Sequence, residues 1–304
     1  MLLIVDENTD NIRLDSYLSN LYSEISRSKI QSAIKSGEVF INGEPKKPSY
    51  ILKDGDRIEF ENLSPEKTLN IEPENIPLEI VWENDDMAVI NKPSGMLTHP
   101  TPLEISGTLV NALLFKYGNN LSDINGEFRR GIVHRLDRNT SGLLMIAKNN
   151  KTHEYLANII KEHKLTKKYR AILKGDYPTD EEIIEAPIAR HKTQMHKMTV
   201  SPDGKPSTTI LKVLERFKEA TYVELTLVTG RTHQIRVHMS YKNHPVYSDT
   251  LYGAGQGKVK TEEQVLQSFY LKFAKPFSPE IIELEIEPDE KLSKVLNYYK
   301  NRRN

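Results

Sequence analysis

An apolar run at residues 143–147 constrains the fold most, because a charged segment leads directly into it. Five consecutive apolar residues are typical of a buried strand. The preceding segment, residues 130–142, carries one acid, Asp137, among Arg130, Arg135 and Arg138. The pattern predicts an irregular segment held by a core strand, which is where binding and catalytic side chains concentrate.

Asp137 is the candidate for chemistry in this segment. Neighbouring guanidinium groups favour an ionised carboxylate, which suits a nucleophile or a base better than an acid. A structural Arg–Asp ion pair would give the same pattern, since ion-pair networks also cluster charges. The spacing alone leaves both interpretations open.

The charges are balanced over the whole chain but not along it. The 304 residues contain 42 basic and 42 acidic side chains. Between Arg129 and Lys174, twelve basic residues stand against three acidic ones, and from Glu280 onward acids balance or exceed bases. A neutral protein with a basic middle segment can present a phosphate-binding face, although a solvated basic helix would look the same.

Composition excludes several classes of function. With no cysteine, the chain has no disulfide, catalytic thiolate or Cys-based zinc site. The histidine pairs are five residues apart, which is poor spacing for metal ligands. No apolar run approaches the roughly 18 residues of a membrane span, and the apolar start is too short for a signal peptide. We therefore expect a cytoplasmic protein without membrane association, cofactor or metal.

Residues 11–61 predict a compact first module. Leu14, Leu18 and Leu21 recur at helical spacing, and a second helix is predicted after Ser26, a suitable N-cap. The dipeptide at residues 42–43, Asn-Gly, predicts a tight turn between strands. Prolines then interrupt residues 63–77, so we predict domains at residues 1–62 and 78–304 joined by a linker at 63–77.

Periodicity also predicts the main elements of the larger domain. Helices are expected over residues 108–117, 152–163 and 291–299, where apolar residues recur at helical spacing. Strands are expected over residues 167–173, 222–228 and 269–273, where side chains alternate in character. Tyr169 would share a strand face with Ala171 and Leu173, which on its own favours core packing of its ring.

Several motifs together resemble the RluA-type pseudouridine synthases. The first is His-Arg-Leu-Asp at residues 134–137 followed by Thr-Ser-Gly at 140–142, and the second is Thr-Gly-Arg-Thr-His-Gln-Ile-Arg-Val-His at 229–238. A Lys-x-Tyr pattern ends at Tyr169. Residues 11–61 resemble the S4 RNA-binding domain, through Arg-Leu-Asp at 13–15, Ser-Arg-Ser at 26–28 and Asn-Gly at 42–43.

The resemblance implies an α+β fold, with a small S4-like domain followed by a catalytic domain on a mixed, mainly antiparallel β-sheet. It also implies isomerisation of specific uridines in RNA, most of all large-subunit ribosomal RNA, to pseudouridine by a monomeric enzyme. The catalytic residues it implies are Asp137, Arg231 as the ion-pair partner of Asp137, and Tyr169 stacked on the target base. The substrate-binding residues it implies are Arg135, Ile235, Lys167, Arg27, Lys29 and Lys35, with Arg135 filling the space that the base leaves.

Other functions predict different residues. A non-catalytic RNA-binding or ribosome-assembly factor would be expected to have lost Asp137, Tyr169 or Arg231, and all three are present. A hydrolase using Ser141 and His134 would need a nucleophile-elbow pattern, which the sequence lacks. The same isomerisation on transfer RNA stays open as an alternative.

Overall fold

The chain folds into two units in a computed structural model that describes residues 2–5, 11–22, 25–60, 70–101, 103–255 and 257–302. One unit is Met1–Asn70 and the other is Ile71–Asn304. Each unit has its own hydrophobic core.

The first unit combines two helices with a small antiparallel sheet. Its elements, in chain order, are β1 (Leu2–Ile4), α1 (Leu14–Leu21), α2 (Arg27–Lys35), β2 (Val39–Ile41), β3 (Glu44–Pro45) and β4 (Arg57–Phe60). The strand order is β1-β4-β2-β3. Leu14, Leu18 and Ile30 are buried in the core, and Ser26 caps α2 by accepting the Lys29 N–H at 3.4 Å. The two predicted helices and the cap are therefore confirmed.

The second unit is built on one long mixed sheet. Its elements, in chain order, are β5 (Glu79–Glu83), β6 (Met87–Lys92), α3 (Leu109–Tyr117), β7 (Ser141–Ala147), α4 (Asn150–Lys161), β8 (Thr166–Lys174), β9 (Glu181–Glu185), β10 (Ile188–Arg190), β11 (Met198–Val200), β12 (Thr208–Phe217), β13 (Ala220–Leu227), α5 (Gln234–Tyr241), β14 (Leu266–Ala274), β15 (Ile281–Glu285) and α6 (Glu290–Lys300). The sheet order is β5-β6-β7-β14-β8-β13-β12-β9, with β15 beside β14. Strand β14 runs parallel to β7, and the remaining described pairs are antiparallel. The predicted α+β class and mixed, mainly antiparallel sheet are confirmed.

The helices predicted for the large domain are present, and N-cap residues determine where they begin. Thr108 and Asn111 make a capping box that starts α3, and Asn149 caps α4. Asp289 caps α6 by accepting the Leu292 N–H at 2.8 Å. A side-chain oxygen at an N-cap satisfies a backbone N–H that has no partner within the helix, which fixes where the helix begins.

The large unit begins earlier in the chain than the sequence predicts. Ile71 is buried in its core. Asn111 Nδ2 donates to Glu72 O at 2.9 Å, and the Glu74 N–H donates to Asn111 O at 2.9 Å. The unit therefore starts at Ile71 and not at residue 78; residues 61–69, where the predicted linker begins, lie outside the described residues.

Strand β7 is the buried strand that the apolar run predicts, and all of its residues are buried. Near its start, Gly142 pairs with Ser268 of the parallel strand β14. Gly142 has a φ of 114°, and a Cβ there would lie 2.0 Å from the Ser268 carbonyl oxygen. Only glycine permits this backbone approach.

We expect Gly142→Ala to lower the free energy of unfolding by roughly 3 kcal/mol, because it adds backbone strain and a clash with β14. Urea denaturation measures the change. Gly253→Ala is the matched control, since Gly253 also has a positive φ, 99°, but open space around its Cβ position. Equal losses of stability in the two variants would show that the clash with β14 contributes nothing to the effect of Gly142→Ala.

Candidate active site

A cavity of about 560 Å³ lies between the segment that leads into β7, strand β8 and the start of α5. The segment 135–141 is called the catalytic loop from here on. The cavity collects all of the catalytic-domain residues that the sequence singled out, namely Arg135, Asp137, Lys167, Tyr169, Arg231 and Ile235. These residues are up to 100 positions apart in the chain, so the sheet and α5 bring them together.

Arg236 holds the Asp137 carboxylate. Its Nη1 donates to Asp137 Oδ2 at 3.1 Å, while Nε and Nη2 donate to the two oxygens of Asp249 at 2.7 and 2.9 Å. Burial favours neutral Arg236, but Asp249 and Asp137 outweigh it and raise the pKa of the guanidinium. Arg236 is therefore a permanent cation that joins a fully buried carboxylate, Asp249, to the partly exposed Asp137.

The predicted pair between Arg231 and Asp137 is wrong. Arg231 precedes α5, and its Nε donates to Pro206 O at 3.1 Å. Its side chain still lines the cavity. Gln234 anchors the start of α5, because Gln234 Oε1 accepts the Arg231 N–H at 3.0 Å. The first turn of α5 thus directs Arg236, and not Arg231, at the carboxylate.

The turn that carries Asp249 contains a non-glycine residue in the left-handed conformation. Ser248 has a φ of 60°. This left-handed conformation favours glycine. The backbone keeps the turn despite the side chain, so Asp249 still reaches Arg236. Asp249 could have been sought from the sequence as the acid that a buried arginine requires.

His233 lines the cavity, although its five-residue spacing from His238 is poor for a metal site. It precedes α5 in the left-handed conformation, with a φ of 57°. Its Nδ1 lies 2.8 Å from the Tyr252 hydroxyl, and its Nε2 lies 3.9 Å from Asp137 Oδ1. Burial lowers the pKa of His233 although Asp137 opposes the shift. A neutral imidazole therefore faces the carboxylate oxygen that Arg236 does not hold.

Tyr169 and Ile235 form apolar walls of the cavity. Both are buried, at 7% and 4% exposure. Burial raises the pKa of the Tyr169 hydroxyl, which pairs with Ser268. The phenol is therefore neutral, and a neutral aromatic ring suits contact with a base.

Two further cations face the cavity from different directions. Lys167 lies on β8, and burial lowers its pKa. Its Nζ would be 3.3 Å from a Cβ at position 230, so the missing side chain of Gly230 makes room for the ammonium group. Arg135 is exposed and lines the cavity from the catalytic loop. The cavity therefore combines one available carboxylate with several cations.

Lys92 holds the catalytic loop from beneath. Its Nζ donates to the carbonyls of Pro93, Met96 and Arg138 at 2.8, 2.9 and 3.0 Å. Burial lowers the pKa of Lys92 to about 7, but three carbonyl acceptors match the three N–H groups of an ammonium. Lys92 therefore has a structural role, since all three of its N–H groups bind backbone carbonyls.

The arrangement contradicts a Ser–His hydrolase. The Ser141 hydroxyl donates to Asp289 Oδ2 at 2.5 Å. His134 Nε2 accepts the Met145 N–H at 3.1 Å. Because both groups are committed to other partners, they do not form a nucleophile–base pair.

The half-buried ring of His134 should make folding sensitive to acid. Burial, with Lys167 nearby, lowers its pKa to about 3, against about 6.5 in an unfolded chain. Between these values the unfolded state binds the proton and the folded state does not. The stabilisation is complete above pH 6.5 and is lost as the pH falls towards 3.

When the pH falls from 7 to 5, we expect protonation of His134 in the unfolded state to lower the stability of the protein by about 2 kcal/mol. The measurement is urea unfolding at both pH values for wild type and His134→Gln, whose amide oxygen can still accept the Met145 N–H. The variant should lose about 2 kcal/mol less than wild type on acidification. An identical loss in both proteins would contradict the assignment.

The predicted RNA-binding residues of the first unit, Arg27, Lys29 and Lys35, all lie on α2. Arg27 Nη2 donates to Asp15 and Ser16 at 3.2 and 3.0 Å, so this guanidinium also ties α2 to α1. Arg13, Gln31 and Arg27 surround the fully buried Asp15 and lower its pKa. Lys35 is exposed at the end of the helix.

Within the described residues no group of three His, Cys, Asp or Glu side chains could hold a metal ion. The same part of the chain contains no helix long and apolar enough to cross a membrane.

Comparison with known proteins gives a consistent result. Residues 86–241 match the RNA pseudouridylate synthase family, and residues 12–58 match the S4 domain. An uncharacterised RNA pseudouridine synthase of Bacillus subtilis is 40% identical over 98% of both chains. Ribosomal large subunit pseudouridine synthase D of Vibrio parahaemolyticus is 38% identical over 91% of this chain and 88% of its own.

A solved structure supports the same relationship. Human RNA pseudouridylate synthase domain containing 1 is 27% identical to this chain, with a TM-score of 0.56. The match covers 74% of this chain and 95% of the human one.

Proposed function

The chain belongs to the RNA pseudouridylate synthase family, and from this we propose that it converts specific uridines of large-subunit ribosomal RNA to pseudouridine. The observation that carries the proposal is a single carboxylate, Asp137, held by Arg236 in a cavity that Tyr169 also lines. The S4 match and relatives named as ribosomal large subunit synthases favour ribosomal over transfer RNA.

The reaction needs a carboxylate beside the ribose. It breaks the bond between C1′ and N1, turns the uracil and joins C1′ to C5; C5 loses a hydrogen and N1 gains one. A carboxylate at C1′ can stabilise or trap an oxocarbenium-like centre, as in glycoside hydrolysis. Oδ1 of Asp137 faces the substrate in this proposal, because Arg236 engages Oδ2.

The target base must leave the stack to reach this carboxylate. Tyr169 stacks on the extruded uracil, a contact worth about 1–3 kcal/mol, and Ile235 forms a second wall. Arg135, exposed on the catalytic loop, occupies the space that the base vacates. Arg231 and Lys167 supply positive charge at the cavity for the RNA.

RNA affinity is divided between two parts of the chain. Residues 1–62 act as the S4 module, where Arg27, Lys29 and Lys35 contact phosphates, and the large unit carries the catalysis. Phosphate contacts give affinity and register, whereas the shape of the catalytic cavity selects the base. The enzyme acts as a monomer in the cytoplasm.

The proposal is tested with transcripts labelled with tritium at C5 of uridine, because that hydrogen is released to water. Incubation with large-subunit ribosomal RNA should release tritium, and a mixture of transfer RNAs should not. Tritium release from transfer RNA alone would show that transfer RNA, and not ribosomal RNA, is the substrate. Binding of ribosomal RNA without release from either substrate would favour a non-catalytic assembly factor.

A further inference from the structure

We propose that the first turn of α6 positions the catalytic carboxylate, with Lys291 and Asp289 acting through the backbone of the catalytic loop. The proposal rests on the proposed function for its kinetic test, and it has a separate test that needs no activity. Lys291 and Asp289 are more than 150 residues from Asp137 in sequence, and neither lines the cavity.

A tight turn connects Asp137 to β7. The Thr140 N–H donates to Asp137 O at 3.2 Å, so Arg138 and Asn139 are the central residues of the turn. Each central carbonyl accepts from a lysine on a different segment. Lys92 Nζ donates to Arg138 O at 3.0 Å, and Lys291 Nζ donates to Asn139 O at 2.9 Å.

The start of α6 also reaches the catalytic loop through Ser94 and directly at Ser141. Lys291 Nζ donates to Ser94 Oγ at 3.1 Å, and Ser94 Oγ itself donates to Asn139 O at 2.9 Å. Ser141 Oγ donates to Asp289 Oδ2 at 2.5 Å, while the other oxygen of Asp289 caps α6. The same helix turn thus holds the loop at residue 139 and again at residue 141.

This arrangement is costly as a purely structural device. Burial lowers the pKa of Lys291 as well as that of Lys92, and the positive charge of Lys291 acts on Lys92 in the same direction. A buried ammonium group close to a half-buried one of the same charge is a poor means of stabilising a fold. The two ammonium groups do fix two successive carbonyls next to Asp137. Reaction rates of enzymes are sensitive to a displacement of a reacting group by about 1 Å.

The kinetic test compares Lys291→Met with Lys294→Met in the tritium-release assay. Lys294 lies on the same helix, is exposed and donates only to Lys260 O at 3.3 Å among its described contacts. We expect Lys291→Met to lower kcat about tenfold or more with unchanged KM and RNA affinity. Lys291→Arg should recover most of the rate, and Lys294→Met should match wild type.

The second test is amide hydrogen exchange at Thr140, whose N–H closes the turn. Exchange there should be faster in Lys291→Met than in Lys294→Met, whether or not the assay RNA is the true substrate. Wild-type kcat in Lys291→Met, or a loss that arginine does not restore, would overturn the proposal while leaving the proposed function intact. If Lys291→Met fails to fold, Ser141→Ala, which keeps the α6 cap, gives the same kinetic comparison.

Discussion

Asp137→Asn should reduce pseudouridine formation by at least roughly 10³-fold while RNA affinity stays within about twofold of wild type. Asparagine keeps the shape of the side chain but can neither stabilise a cationic sugar centre nor accept a ribose proton. Affinity is retained because phosphate contacts, and not this carboxylate, supply most of the binding energy. Tritium release and filter binding on the same RNA measure the two quantities.

The control for this variant is Asp86→Asn. Asp86 lies in the turn between β5 and β6, outside the cavity. Asp86→Asn should leave both tritium release and RNA affinity unchanged. Turnover of Asp137→Asn at a rate near that of wild type would remove Asp137 from the mechanism.

Arg236→Met should abolish activity and lower the free energy of unfolding by about 3–5 kcal/mol. The reason is that Asp249 is fully buried and would lose its bidentate partner, while Asp137 would lose the cation that orients it. Arg231→Met is the matched control. Because Arg231 donates only an exposed hydrogen bond to Pro206 O among its described side-chain contacts, its loss should cost less than about 1 kcal/mol and less than about tenfold in rate.

A double variant separates the two effects of Arg236. Adding Asp249→Asn to Arg236→Met removes the uncompensated buried charge, so urea unfolding should show most of the stability restored. Activity should stay absent, because Asp137 still has no guanidinium. Recovery of activity in the double variant, or a larger loss in Arg231→Met than in Arg236→Met, would contradict the assigned pairing.

The sequence was sufficient for the parts of the site that depend on local pattern. The apolar run after Asp137 predicts β7, and the alternation around Tyr169 predicts β8. Both strands lie next to β14 in the sheet, and Asp137 and Tyr169 line one cavity. The helical spacing that predicts α6 is also a local feature.

Whether Arg231 or Arg236 pairs with Asp137 depends on the direction in which each side chain points. The sequence does not determine that direction. Both arginines follow β13 within a few residues, but α5 begins between them. The helix turns Arg236 towards Asp137, and Asp249, which arrives from a later turn, fixes it there. The contacts of Lys291 could not be predicted from the sequence either, because a lysine near the start of a helix normally indicates a solvated charge.

The most direct test of this account is a transcriptome-wide map of pseudouridine in a strain that lacks the protein, complemented with wild type or with Asp137→Asn. We predict that specific large-subunit ribosomal RNA sites disappear on deletion and return only with wild type. Sites that return with Asp137→Asn, or ribosomal RNA that is unchanged by the deletion, would contradict it.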